Sequence, residues 1–208
     1  MKKRHNLYIT FAIIVIGMCL RPSITGLGSV LRLVKTELAL SDTASGMLTT
    51  IPLLTFAVVS PLVRKSNCKF GTANSITIAF LLIACGTWIR SYLGIIGLFV
   101  GTVMIGSGIA FGNVLLPAII KKEFPLKYGF MTALNSVGLA VSSAIASGVN
   151  YPLSVEYGLG WRKTLCIYAV AAIVAILVWR PVSYVNIDSS QGDSNGNRMI
   201  KNPIAWSV

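Results

Sequence analysis

Six apolar stretches, each about twenty residues or longer, take up most of this chain. They run from Leu7 to about Leu33, Ala44 to Val63, Gly71 to about Ile89, Gly94 to Ile120, Gly129 to about Leu153 and Trp161 to Trp179. A helix needs about 20 apolar residues to cross the hydrocarbon core of a bilayer. Only a backbone that satisfies its own hydrogen bonds is tolerated there. The pattern therefore predicts an all-α membrane protein, with a bundle of six transmembrane helices over residues 1–180. Composition agrees: the chain is 54% hydrophobic and 12% charged, with a mean hydropathy of +0.75. That leaves too little polar surface to cover a water-soluble globule.

A net charge of +12 would suggest nucleic acid in a soluble protein. Here the cations form short clusters between apolar runs, and a positive-inside bias accounts for them without a polyanionic partner. With the N-terminus in the cytoplasm, twelve Lys and Arg fall on the inner side: Lys2, Lys3, Arg4, Arg64, Lys65, Lys69, Lys121, Lys122, Lys127, Arg180, Arg198 and Lys201. Five fall outside, Arg32, Lys35, Arg90, Arg162 and Lys163. The expected topology is multi-pass in the plasma membrane with both ends cytoplasmic. Lys2, Lys3 and Arg4 ahead of an apolar core imitate a signal peptide, but Arg21-Pro22 follows where a small-x-small cleavage site would be needed.

Arg21 carries the most information of any residue. At about 1.5 Å per residue it lies roughly 21 Å from Leu7 in a span about 39 Å long, near the bilayer midplane. Ending the first helix at Leu20 would leave a run of 14 residues, too short to span. A midplane Arg costs several kcal/mol and persists mainly where it faces a wet cavity or a partner. A cavity role, a buried structural partner and a helix boundary all remain open for it. Pro22, Ser23, Thr25, Gly26 and Gly28 follow, and such residues loosen a helix locally. Interrupted helices near the midplane are a recurring way for transporters to present backbone groups to solute.

The fourth span repeats this look, with Asn113 four residues before Pro117; Asn113 fits an interhelical hydrogen bond nearly as well. Asn135, Thr49 and Thr50 are further cavity candidates, each equally able to bond its own helix. Glu37, Asp42, Glu123, Glu156, Asp188 and Asp193 all fall outside the spans. Arg21 is then the only charge inside the membrane, and a cavity around it favours an anion or a dipolar solute. Small residues recur every four positions at Ser136, Ala140, Ala144 and Gly148, and as Gly97/Gly101 and Gly108/Gly112. This spacing signals close helix packing.

Catalysis and metal binding find no support. Gly106-Ser107-Gly108 imitates a nucleophile turn, yet His5 is the only histidine and lies outside every span. Cys19, Cys68, Cys85 and Cys166 form no CxxC pair and read as small apolar residues. No enzyme activity, cofactor or metal is expected. After Arg180 the run Asp188 to Asn197 is polar and Gly/Ser/Asn-rich, so residues 181–208 read as a cytoplasmic linker leading, at Asn202 to Val208, towards a second bundle.

The segments Leu20 to Gly28, Gly46 to Leu54, Asn113 to Pro117, Phe124-Pro125 and Asn202 to Trp206 resemble the major facilitator superfamily, and within it the cyanate permease and 2-nitroimidazole transporter family. Val63 to Gly71 keeps the basic residues and final Gly of the superfamily's loop signature but lacks its Asp. The resemblance implies two six-helix bundles joined by a cytoplasmic loop, with solute bound between them. This chain corresponds to the first, built of two three-helix inverted repeats. The first and fourth spans would line the pathway, and the third and sixth would face lipid. The function implied is secondary transport of a small anionic or dipolar solute, with Arg21, Thr25, Thr50, Asn113 and Asn135 as cavity residues. A second six-helix half or a second copy would complete the path. The other reading is a truncated product that does not transport.

Overall fold

The structure is a computed structural model that describes residues 2–183, with side chains over residues 8–180. The expected linker and the approach to a second bundle, within 184–208, lie outside the described residues. Six α-helices follow in order: α1 Lys2–Leu20, α2 Pro22–Glu37, α3 Asp42–Tyr92, α4 Gly94–Glu123, α5 Tyr128–Val155 and α6 Gly160–Ser183. A 3-10 turn, Pro125–Lys127, leads into α5.

These elements do not map one-to-one onto the six expected spans. The first span is α1 and α2 together, bent at Arg21. Pro22 has no N–H to offer the Met18 carbonyl, which is enough to bend a helix. Arg21 itself keeps helical angles (φ −83°, ψ −38°), and its carbonyl accepts from the Ile24 and Thr25 amides at 3.0 and 3.2 Å. The interruption is a bend rather than an unwound segment.

The second and third spans fall within α3. A straight helix of its 51 residues would measure about 77 Å, more than twice the hydrocarbon thickness. Gly71 breaks it with φ 78° and ψ 162°, a region open essentially to glycine alone. Its two arms, 42–70 and 72–92, are therefore separate helices. Ser41 caps the first by accepting from the Ala44 amide at 3.2 Å. Five stretches among the described residues are long and apolar enough to cross a membrane, counting α3 as one.

Lipid supplies no hydrophobic drive for helices to associate, so close approach has to hold them together. The α4 glycines do this. A Cβ on Gly101 would meet the Arg90 amide nitrogen at 2.7 Å, and one on Gly108 would meet the Ala79 carbonyl at 2.5 Å. These contacts seat α4 directly on the second arm of α3. The α5 series behaves oppositely: Ser136, Ala140, Ala144 and Gly148 are all exposed, and nothing lies within 4 Å of a Cβ on Gly148. The packing expected of that stripe is not made within this bundle.

Two apolar clusters form the interior. One gathers Ile13, Ile16 and Leu20 of α1 with Phe80, Ile105 and Trp179. The other gathers Leu27, Val30 and Val34 of α2 with Leu48, Leu98 and Trp161. The bend at Arg21 lies at their junction. Helix α6 is tied at both ends. Glu37 accepts from Trp161 Nε1 at 2.5 Å and pairs with Arg162 at 2.9 Å, while Trp179 Nε1 donates to the Ala73 carbonyl at 3.1 Å.

One assignment is corrected. Arg90, counted above with the outer segments, is 1% exposed in the bundle interior, because α3 continues to Tyr92 rather than ending near Ile89. Arg21 is therefore not the only intramembrane charge.

Candidate solute-facing site

The bend collects three of the five expected site residues at one level of the bundle. Arg21 is exposed at the bend itself, with no hydrogen bond or ion pair to its side chain among the described residues. Gly112, next to Asn113, packs on Leu20, next to Arg21. Asn113 is half-buried. The Asn135 amide lies against Gly17, one helical turn before Arg21, and only a glycine leaves room for it there. Asn135 is 7% exposed, and its Oδ1 has no hydrogen-bond partner among the described residues.

The two threonines serve their own helices. Thr25 Oγ1 donates to the Arg21 carbonyl at 3.2 Å, and Thr50 Oγ1 to the Gly46 carbonyl at 3.0 Å. Such bonds satisfy the hydroxyl in an apolar surrounding. Thr50 stands exposed on the first arm of α3.

Around the bend, α2 has two distinct faces. Ser23, Gly26, Leu27, Val30 and Val34 are buried. Arg21, Gly28 and Arg32 are exposed, and half-buried Thr25 lies in line with them at helical spacing. The open faces of α3 and α6 differ sharply in chemistry. Leu81, Cys85, Trp88 and Tyr92 line one, and Ile167, Val170, Val174 and Leu177 line the other. Both are largely apolar. The α2 stripe has two guanidinium groups, and α5 presents the small residues Ser136, Ala140, Ala144 and Gly148 beside an equally open apolar row, Val137, Val141, Ile145 and Val149.

The buried side of the bend is held by polar groups that sequence reading missed. Arg90 Nη1 donates to the Ser23 carbonyl at 2.8 Å. Asn150 Nδ2 donates to the Gly26 carbonyl at 3.0 Å, and Tyr168 OH donates to Asn150 Oδ1 at 2.5 Å. A groove of about 350 Å3 between α1, α5 and α6 has Met18, Cys19, Pro22, Ala146, Asn150 and Tyr168 among its walls. Trp88 and Tyr92 were a usable signal for Arg90, since aromatic residues mark the interfacial ends of spans and would have carried the third span past it.

A family model described as Major Facilitator Superfamily matches residues 11–207. The chain belongs to this superfamily. Among curated proteins it is 38% identical over 180 residues to the transporter YycB of Bacillus subtilis (strain 168), covering 86% of this chain and 45% of that protein. It is 33% identical over 209 residues to the 2-nitroimidazole transporter of Escherichia coli (strain K12), covering 99% of this chain and 53% of the relative. The cyanate transport protein CynX of the same organism is 24% identical, with 94% and 51% covered. The chain spans about half the length of the curated relatives it matches. Among solved structures, a peptide transporter POT variant in complex with sulfate superimposes with a TM-score of 0.70 at 17% identity, over 83% of this chain and 37% of that one. The fold is thus part of a major facilitator fold, and the chain is a multi-pass membrane protein of a transporter superfamily rather than an enzyme.

Proposed function

We propose that this chain is a six-span half of a secondary transporter for a small anionic or dipolar solute, with Arg21 as the charge anchor. The observation that carries this reading is the polar open stripe of α2, Arg21, Thr25, Gly28 and Arg32, beside the small-residue face of α5. A guanidinium group facing lipid near the midplane, as that of Arg21 would, costs several kcal/mol, whereas the same group facing a wet path is at home. Gly71 divides α3 into two spans and so brings the count to six, as two three-helix repeats. Asn113 and Asn135, at the level of Arg21, would supply hydrogen bonds to the solute, and Thr25 and Thr50 would border the path. Relatives named for 2-nitroimidazole and cyanate support a compact, heteroatom-rich solute.

With both ends cytoplasmic, moving Arg90 into the bundle leaves four outer cations, Arg32, Lys35, Arg162 and Lys163, and the inward excess grows. Lys35 pairs with Asp42, and Arg162 with Glu37. The open face requires a cover, either a second six-helix half or a second, parallel copy of this chain.

The test is flux of cyanate and 2-nitroimidazole in cells producing the chain, together with solute-dependent thermal shift of the purified protein. Losing a charge-assisted hydrogen bond is worth about 1.5–3 kcal/mol. Arg21→Ala should therefore weaken apparent affinity by about 10- to 100-fold. Equal flux and an equal shift in the variant would remove Arg21 from the anchor role.

A further inference from the structure

We infer that Arg90 is a positioning residue for Arg21, fixing the bend of the first span from the buried side; this rests on the reading of Arg21 as the solute-facing cation. The bend is a weak point by construction. Pro22 removes one hydrogen bond of the helix ladder, so few backbone restraints set the angle between α1 and α2. That angle decides where Arg21 points.

The missing restraint is supplied by side chains from three other elements. Arg90 of α3 holds the Ser23 carbonyl, and Asn150 of α5, itself held by Tyr168 of α6, holds the Gly26 carbonyl. Ser23 and Gly26 lie on the face of α2 opposite the Arg21 stripe, within the first turns after the bend. The two apolar clusters meet at this level, so neither closes over the bend alone.

Burial makes Arg90 more than a packing residue. It is 1% exposed, and no carboxylate pairs with it among the described residues. Its Nε and Nη2 have no hydrogen-bond partner among them either. An apolar side chain would fill this space without placing a charge in a lipid-embedded core. A buried ionic group of this kind is best explained by the one arrangement it specifies. Only one guanidinium nitrogen is used, on a single carbonyl. A lysine ammonium can make such a point contact, although it could not replace a bidentate pair.

The experiment uses the full chain in native membranes with Cys19, Cys68, Cys85 and Cys166 replaced by alanine and a single reporter, Arg21→Cys. The probe is a membrane-impermeant charged maleimide, which reacts with thiolate and so reports water at that position. Arg90→Met is expected to lower the alkylation rate at position 21 by about threefold or more, as the bend loses its fixed direction. Arg90→Lys should stay within about twofold of the parent, and a separate Ala144→Cys reporter on the open face of α5 should be unaffected by either. An unchanged or faster rate in Arg90→Met, or Arg90→Lys behaving like Arg90→Met, overturns the inference. If Arg90→Met does not accumulate as a monodisperse protein, Asn150→Leu takes its place, with the same fall expected and an unchanged rate overturning it. No alkylation at position 21 in the parent would place that residue in lipid and sink the anchor reading itself. That outcome is distinct from equal rates in parent and variant, which sink only the positioning role.

Discussion

Two guanidinium groups at one bend have opposite surroundings. Arg21 is open and Arg90 is enclosed, yet the sequence places each at the edge of an apolar run. The position of Arg21 within a span was legible because a second run follows it; hydropathy alone misplaced Arg90, because only Ser91, Tyr92 and Leu93 separate it from the turn at Gly94. Glycines show the same limit. The spacing of small residues is alike in α4 and α5, but only the structure shows which series is already in contact. Gly101→Ala should therefore be costly, since its Cβ would press on backbone atoms of α3, and overpacking of this kind costs about 1–3 kcal/mol. Gly148→Ala should be neutral or slightly stabilising, because it meets open space and removes a helix-weakening glycine. Melting temperatures of the two purified variants check the contrast, and equal values would contradict the packing described for α4.

Helix α6 shows which ties between elements matter most. The tie at its N-terminal end joins Glu37 to Arg162 and Trp161, and both charged side chains are more than two-fifths exposed, a setting in which ion pairs contribute about 0–1 kcal/mol. The tie at its C-terminal end joins a fully buried Trp179 to the Ala73 carbonyl. The Ala73 carbonyl also accepts from Thr77 Oγ1 at 3.1 Å, so losing the indole costs one hydrogen bond, about 0.5–1.5 kcal/mol, and the cavity left by a smaller ring adds to it. Trp179→Phe should lower the melting temperature more than Glu37→Gln, and the reverse order would show that the Glu37–Arg162 pair dominates. Span positions were largely legible from hydropathy, since α4, α5 and α6 run within a few residues of the expected stretches. What hydropathy could not convey is connectivity. Residues 64–70 are polar and basic enough to read as a loop, yet they extend the helix to Gly71, where positive φ alone makes the turn.

At the scale of the molecule, the bundle has two kinds of outside. Apolar rows on the second arm of α3, on α6 and at Val137, Val141, Ile145 and Val149 of α5 suit acyl chains, while α2 presents charge and α5 adds a row of small residues. The site was legible as a list of polar residues in apolar runs. Its convergence at the bend was not, because it depends on which helices touch.

The open stripe of α2 also bears on the life of the chain in the cell. On the proposed reading, a bundle whose polar flank is uncovered leaves a guanidinium group facing lipid at a cost of several kcal/mol, so a cover for that flank would stabilise it. Its turnover should therefore depend on company. Pulse-chase half-life should lengthen severalfold on co-production of a complementary six-helix half, or rise with expression level if a second copy provides the cover. A half-life indifferent to both would mean that lipid alone tolerates the stripe.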